Sequence, residues 1–262
     1  MGTVWLAEDT ELKRRVALKV LAAETNQDRL SESLANEARV LARLEHPGIV
    51  PVHDIGRLPD GRIFYAMKFV EGQRLDHLAS GTSRFERLRI FRKICDAVAF
   101  AHSRGVIHRD LKPENIMLGA FGEVLVMDWG VAVLRGEQAN TGVVAGTPGY
   151  MAPEQERGET DERSDVYSLG AVLACLLREE RVPRHLAAIA AKAQSADPVQ
   201  RYASVEQLAY DIDRFLEGEP VSAYRDNLWD ILARHYRRHQ VLILLLLTYV
   251  VVRFLIFFFT PR

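Results

Sequence analysis

Hydrophobic and polar residues alternate along the first part of the chain, a spacing of two that is typical of strands. The stretches VWLAED and RRVALKV predict two strands joined by a charged turn near Glu11 to Lys13. HPGIVPVHDIG predicts a turn and a strand, and RIFYAMKFV a further strand. One helix is predicted between Ser31 and Leu44, where Leu34, Ala38 and Leu41 share a face. This part of the chain is therefore expected to be mostly strand.

Apolar residues recur every three or four positions from Phe85 onward, which predicts helices. The stripe Ile90, Ile94, Val98 and Ala101 ends at Gly105, a residue type that commonly terminates helices. Further helices are predicted around Val166 to Leu176, from His185 to Ala193 and from Ser204 to Leu216. With a break at Gly72, the pattern predicts an α+β fold with a small strand-rich part followed by a larger helical part.

The chain ends close to a 19-residue apolar run at residues 241–259, which contains a single charged residue, Arg253. A helix of this length measures roughly 28 Å, about the thickness of a hydrocarbon core. The run therefore predicts a transmembrane helix, the alternative being a buried core helix. The preceding cluster RHYRRH favours a single-pass topology with the rest of the chain on the cytoplasmic side, since basic residues are retained there. A basic nucleic-acid patch is the alternative for this cluster.

Composition narrows the class of protein only slightly. The chain has 262 residues, 48% of them hydrophobic, and a formal net charge of −1, so no nucleic-acid partner is expected. Its two cysteines, Cys95 and Cys175, lie in apolar runs and are expected to be buried and unpaired, as in a reducing compartment. The acidic residues near the N-terminus do not fit a secretory signal.

Candidate chemistry is concentrated in HRDLKPENIML, residues 108–118. Asp110 can accept a proton from a hydroxyl, Lys112 can meet a phosphoryl group, and Asn115 offers a neutral oxygen to Mg²⁺. Asp128 follows in MDWG, where a glycine permits a sharp turn and leaves the carboxylate free to bind metal. Lys19 points inward from a predicted strand and needs a partner. Glu37 on the polar side of the first helix is a candidate, although a surface pair of the two is the simpler interpretation.

Taken in order, VALKV, the helix with Glu37, HRDLKPEN, DWG and MAPE resemble the eukaryotic-like (Hanks-type) protein kinase signature. The resemblance covers roughly residues 2–220 and is strongest to bacterial serine/threonine kinases, especially membrane-anchored ones. It implies a two-lobed kinase domain at residues 1–222, with an N-lobe at 1–67, a hinge at 68–72 and a C-lobe at 73–222. A juxtamembrane segment at 223–240 and the transmembrane helix at 241–259 complete the expected organisation.

The resemblance also implies roles for single residues. Lys19 is expected to hold the α- and β-phosphates of ATP and to pair with Glu37, Asp110 to act as catalytic base, and Lys112 to stabilise the transferred phosphoryl group. Asn115 and Asp128 are the expected Mg²⁺ ligands. The nucleotide-binding set comprises Gly2, Val4, Ala17, Lys19, Met67, Phe69, Val70 and Met117.

The segment after DWG carries further expectations from the same resemblance. Thr147 is expected to brace Asp110 and Lys112, and Thr141 is a candidate activating phosphosite. Glu154 and Arg201 resemble a buried ion pair that anchors this segment. HRDLKPEN and GTPGYMAPE imply a serine/threonine enzyme, with protein substrates and a second copy of the chain for autophosphorylation as the partners.

Two departures from the family pattern leave alternatives open. Of the glycine-rich loop G-x-G-x-x-G-x-V only Gly2 and Val4 remain, through either a late start codon or a genuine truncation. Only residues 178–181 separate the helix ending near Leu177 from the next, so the helix expected between them is missing. A Mg²⁺- and ATP-dependent serine/threonine kinase is therefore the first hypothesis. A membrane-anchored pseudokinase scaffold and a fragment that does not fold stably are the alternatives.

Overall fold

The structure of the protein is a computed structural model that describes residues 3–20, 37–135, 146–178 and 181–259. Gly2 and Thr141, predicted to take part in nucleotide binding and activation, lie outside these residues. Residues 31–36 of the helix predicted at 31–44 do too, but residues 37–42 are helical and bury Ala38 and Leu41, as its periodicity predicts.

A four-stranded antiparallel sheet forms the first part of the protein. Its strands are β1 (Thr3–Asp9), β2 (Arg14–Val20), β3 (Val52–Arg57) and β4 (Ile63–Lys68), in the order β1-β2-β4-β3. Successive side chains of a strand point to opposite faces, so Ala17 and Lys19 share one face of β2. Their partners on β4, Met67 and Tyr65, lie on the same face, which becomes the floor of the candidate site.

The larger second part is helical, as predicted. Its helices are α1 (Arg84–Ser103), α2 (Glu162–Leu176), α3 (Arg184–Ala193) and α4 (Val205–Leu216), with short 3₁₀ turns at Leu75–His77, Pro113–Asn115, Gln155–Arg157 and Pro198–Gln200. Helix α1 packs against α2 and α4, and α3 against α2 and α4. Gly105, with φ of 74°, follows the end of α1 and donates its N–H to His102 O, as expected of a terminating glycine.

Short strands connect the two parts around the predicted chemistry. Strands β5 (Gly72–Arg74), β7 (Ile116–Gly119) and β8 (Val124–Val126) form one sheet, and β6 (Val106–Ile107) pairs with β9 (Val133–Leu134). A single continuous hydrophobic core runs from Ala17 and Leu41 through Phe91 to Ile212. Cys95 lies in this core as predicted, but Cys175 is partly exposed, so the expectation of two buried thiols is wrong for Cys175.

The C-terminal apolar segment belongs to one long helix, α5 (Leu228–Phe259). Every residue from Leu244 to Phe254 is exposed. Within the part of the chain that the structure describes, no helix combines the length and apolar character needed to cross a bilayer. The membrane span predicted at residues 241–259 is therefore not supported by the described residues.

Candidate active site

Asp110, Lys112 and Thr147 form a triangle of short hydrogen bonds at the centre of the site. Lys112 Nζ lies 2.7 Å from Asp110 Oδ2 and donates to Thr147 Oγ1 at 2.6 Å. The Thr147 hydroxyl in turn donates to Asp110 Oδ1 at 2.7 Å. Both carboxylate oxygens of Asp110 are thus held in place, although Asp110 and Thr147 are 37 positions apart. The structure brings Asp110 and Lys112 together with Thr147, the residue that the resemblance implies would brace them.

The β7–β8 pair brings the two predicted metal ligands to one end of its sheet. Ile116 pairs with Val126, and Met127 N donates to Asn115 O at 2.8 Å, so Asn115 and Asp128 leave the two strands side by side. The amide nitrogen of Asn115 donates to Asp110 O at 2.9 Å and to Asp110 Oδ2 at 3.1 Å. Its oxygen is the atom that stays available to a cation.

Asp128 adopts a backbone conformation that side-chain-bearing residues rarely take, with φ of 55°. Left-handed conformations of this kind are costly for residues other than glycine and concentrate at functional sites. The neighbouring Trp129 is 1% exposed and donates its indole N–H to Val126 O at 3.3 Å. The buried tryptophan thereby fixes the turn from which the Asp128 carboxylate projects.

Lys19 bridges two carboxylates. Its ammonium lies 2.7 Å from Glu37 Oε1, 2.9 Å from Glu37 Oε2 and 2.7 Å from Asp128 Oδ1. The side chains of Lys19 and Glu37 are only 15% and 3% exposed, so the surface pair that seemed the simpler interpretation is wrong. Glu37 is buried because its helical segment packs on the sheet, and Lys19 supplies the charge that makes such burial tolerable.

The pKa values of Lys19, Glu37 and Asp128 depend on two opposing effects, burial of each group and the opposite charge beside it. Burial opposes the charge on Lys19, but Glu37 and Asp128 outweigh it and hold the pKa of the ammonium above its ordinary value. Burial likewise opposes ionisation of Asp128, but Lys19 lowers the pKa of that carboxyl below its ordinary value. For Glu37 burial prevails and raises the pKa, against the lowering effect of Lys19. Lys19 and Asp128 therefore carry full charges at neutral pH.

A fully buried carboxylate that the sequence reasoning missed supports the loop of Asp110. Asp165, on α2, accepts the backbone N–H groups of His108 at 2.8 Å and Arg109 at 2.9 Å, and its Oδ2 lies 2.8 Å from His102 Nε2. These contacts outweigh burial and hold the pKa of Asp165 below its ordinary value. Arg109 itself has φ of 71°, so a strained backbone directly before Asp110 is held by the helix beneath it.

The described residues predicted to surround the nucleotide base lie on β1, β2, β4 and β7 and on the connection that follows β4. Ala17 and Met67 are buried cross-strand partners, and Val70 at the connection is also buried. Met117 on β7 is half-buried, and Phe69 packs at the edge of the core with the Arg15 guanidinium 5.4 Å from its ring. Val4 is 54% exposed and pairs with Lys19 across β1 and β2.

The predicted pair of Glu154 and Arg201 is present and buried. Arg201 contacts both carboxylate oxygens, at 2.6 and 2.8 Å, with side chains 0% and 6% exposed for Arg201 and Glu154. The next residue, Gln155, donates to Arg109 O at 2.9 Å. The pair thus fixes residues 146–158, which carry Thr147, against the loop of Asp110.

The donor set suits a magnesium ion delivered together with phosphate groups. Among the described residues no group of three or more His, Cys, Asp or Glu side chains could form a metal site by themselves. Mg²⁺ commonly binds through one or two protein oxygens plus substrate phosphates and water. Asp128 Oδ2 and the Asn115 amide oxygen, next to an ammonium suited to phosphate, meet that requirement.

Comparison with known proteins finds that most of the chain is similar to protein kinases. Residues 1–224 match the protein kinase domain family. The chain is 35% identical over 282 residues to the serine/threonine-protein kinase PknD of Chlamydia felis, which covers 84% of this chain and 30% of that protein. PknD of Chlamydia muridarum is 35% identical over 296 residues, with 87% and 32% covered. PknD of Protochlamydia amoebophila is 34% identical over 284 residues, with 83% and 29% covered. The chain thus spans about a third of the length of these relatives.

Proposed function

This chain belongs to the protein kinase domain family, and on that basis we propose that it transfers the γ-phosphoryl group of ATP to serine or threonine hydroxyls of proteins. The observation that carries the proposal is the triangle of Asp110, Lys112 and Thr147, next to the turn that presents Asp128. Phosphoryl transfer depends mainly on positioning and on charge stabilisation, and this site offers a fixed base, two ammonium groups and two metal-directed oxygens.

The triangle of Asp110, Lys112 and Thr147 acts on the acceptor hydroxyl. Asp110 takes the proton of the acceptor hydroxyl, because its two oxygens are oriented by Thr147 and Lys112. Lys112 carries a positive charge beside the point where the hydroxyl oxygen attacks. Thr147 keeps the base and the ammonium at one fixed separation. The serine/threonine assignment rests on Lys112 within HRDLKPEN and on GTPGYMAPE, as the resemblance implies.

The cluster of Lys19, Glu37 and Asp128 acts on the nucleotide. Lys19 binds the α- and β-phosphates while Glu37 holds its ammonium. Asn115 and Asp128 would hold a Mg²⁺ ion, which would supply positive charge to the phosphate oxygens. Ala17, Met67 and Met117 enclose the base, and the backbone at Phe69 and Val70 offers hydrogen-bonding groups to its edge.

The test is phosphotransfer from labelled ATP by the full chain, with and without Mg²⁺, beside Asp110→Asn. A general base contributes about 10²- to 10⁴-fold, so we expect transfer to fall by that factor in the variant. Asp60→Asn, which changes an exposed turn carboxylate, is the matched control and leaves transfer unchanged. Equal rates for Asp110→Asn and the wild type would refute the assignment. A folded chain that binds ATP without any transfer would support the pseudokinase scaffold instead.

Membrane attachment through the segment at 241–259 stays a prediction and belongs to the same proposal. It rests on the apolar run itself and on the exposure of Leu244 to Phe254 along α5. We expect the full chain to stay in the membrane fraction after an alkaline wash, with the kinase domain accessible from the cytoplasm. Release of the full chain into the soluble fraction would contradict this prediction.

The missing helix after α2 and autophosphorylation by a second copy also stay predictions. Helices α2 and α3 are separated by residues 177–183.

If one copy phosphorylates another, the rate per molecule rises with protein concentration. A concentration-independent rate would contradict the second copy as substrate.

A further inference from the structure

Tyr65 contacts the nucleotide side of the site, although no sequence motif points to it. It lies on β4, is 1% exposed, and is the cross-strand partner of Lys19. Its hydroxyl lies 2.8 Å from Glu37 Oε1, the oxygen that also accepts from Lys19 at 2.7 Å. The Lys19 ammonium is 5.9 Å from the centre of the Tyr65 ring. One tyrosine therefore forms a hydrogen bond with Glu37 and lies beside Lys19.

The direction of this hydrogen bond is fixed by its surroundings. Burial, together with the neighbouring Glu37 carboxylate, raises the pKa of the Tyr65 phenol far above its ordinary value, so the phenol keeps its proton and donates. Burial also disfavours charge on Glu37, which makes each donor to that carboxylate valuable. A hydrogen bond to a charged buried group is among the stronger ones in proteins.

Lys19 has a second partner within reach, and this gives the Tyr65 bond a consequence for catalysis. Asp128 Oδ1 lies as close to the ammonium as Glu37 Oε1 does, at 2.7 Å. Asp128 is more exposed than Glu37, with side chains 45% and 3% exposed. If Glu37 turned away from the pair, Lys19 would stay with Asp128 and occupy the carboxylate that is needed for the metal.

We propose that Tyr65 is a positioning residue that holds Glu37, and through Glu37 the ammonium of Lys19, in the orientation that binds the phosphates of ATP. The inference rests on the proposed function and names a residue outside the motifs on which that function is based. Tyr65 does not touch the substrate; it acts by keeping Glu37 oriented toward Lys19 while Asp128 is released for its metal.

The test is Tyr65→Phe in the full chain, which keeps the buried ring and removes only the hydroxyl. We expect kcat/KM for ATP to fall about tenfold, since a hydrogen bond to a charged group contributes about that factor or more. The KM for the protein substrate should not change, because the triangle around Asp110 is untouched. Binding of Mg·ATP, measured by calorimetry, should weaken by a similar factor.

The chain offers a closely matched control in Tyr202. Tyr202 is also 1% exposed and donates to a buried carboxylate, Asp211 Oδ2, at the same 2.8 Å. Tyr202→Phe therefore removes the same kind of bond far along the chain from the site. It should lower the unfolding temperature about as much as Tyr65→Phe does, and leave both KM values as in the wild type. A purely structural role for Tyr65 would make the two variants behave alike.

A double-mutant cycle shows whether Tyr65 acts through Glu37. In a Glu37→Ala background, Tyr65→Phe should cause no further loss of ATP affinity or of kcat/KM. The proposal is overturned if Tyr65→Phe affects ATP no more than Tyr202→Phe does, or if its effect persists undiminished in Glu37→Ala. A wild-type chain that binds ATP without transfer would refute the proposed function alone, and the comparison of affinities would still decide the role of Tyr65. A wild-type chain that binds no ATP would overturn both.

Discussion

Glu154→Gln tests whether the buried pair with Arg201 fixes the segment that carries Thr147. Arg201 has a fully buried side chain and contacts both oxygens of Glu154, one of which also accepts from the Ser164 hydroxyl at 2.9 Å. The glutamine keeps the shape and the bond from Ser164 but leaves the guanidinium buried without a counter-charge. Removing one partner of a buried pair costs about 3–5 kcal/mol, and the residual bond places this variant near 3 kcal/mol.

For a chain of this size, that loss lowers the unfolding temperature by roughly 6–12 °C. The assay is thermal unfolding of the full chain followed by circular dichroism, with phosphotransfer measured in parallel. Glu159→Gln is the matched control, since Glu159 and Arg157 form a pair with side chains 70% and 61% exposed. Exposed pairs contribute little, so this variant should melt with the wild type. Equal melting of the two variants would refute the reasoning.

The pH dependence of stability gives a second check on whether Glu154 and Arg201 form an ion pair. Burial raises the pKa of Glu154, but Arg201 outweighs it, and the pKa in the folded protein lies below its ordinary 4.5. A carboxyl with a lowered folded pKa contributes stability that is fully present above the unfolded value and is lost as the pH falls through the folded one. The difference between wild type and Glu154→Gln should therefore be constant above about pH 5 and shrink below it. A difference that grows on acidification would contradict the ion pair.

Three further changes probe the loop of Asp110 and the nucleotide side. Asp165→Asn weakens the support of two backbone N–H groups in that loop and should cost about 2–3 kcal/mol in a denaturant titration, with a fall in phosphotransfer. Thr147→Val removes the hydroxyl that bridges base and ammonium, and should lower kcat about tenfold while Thr147→Ser retains it. A Cβ on Gly130 would lie 3.2 Å from Glu37 Oε2, so Gly130→Ala should raise the KM for ATP, whereas Gly81→Ala, with open space around it, should not.

The local pattern of residues was sufficient to predict the inward face of the sheet and the arrangement of side chains in the loop of Asp110. The alternation of β2 predicted that Lys19 points inward. The spacing within residues 110–115 predicted Lys112 and Asn115 close to Asp110, and both donate hydrogen bonds to its carboxylate. Periodicity also predicted helix α4, whose buried positions include Val205, Leu208 and Ile212. Such features depend on backbone geometry over a few residues, which a single sequence encodes directly.

Contacts between distant segments were harder to predict. Asp165 lies 57 positions from His108, and nothing in its helix distinguishes a carboxylate that caps a distant loop from one facing solvent. Glu37 was assigned to the polar side of its helix because charge normally indicates exposure, but pairing with Lys19 reverses that rule. Tyr65 had a usable signal, since it is two residues before Met67 on β4 and must share its face.

The shared ammonium explains why these distant contacts matter for the reaction. Lys19 is bonded to a residue 18 positions away and to another 109 positions away, so one charge ties the sheet, the helical segment and the turn after β8 together. Under the proposed function, a Mg²⁺ ion bound to Asp128 would compete with Lys19 for that carboxylate and weaken one of the two attractions on Lys19. The ammonium then stays in place only as firmly as Glu37 holds it, and Glu37 is itself held by Tyr65. Binding of the nucleotide is therefore expected to depend on a donor that never touches it.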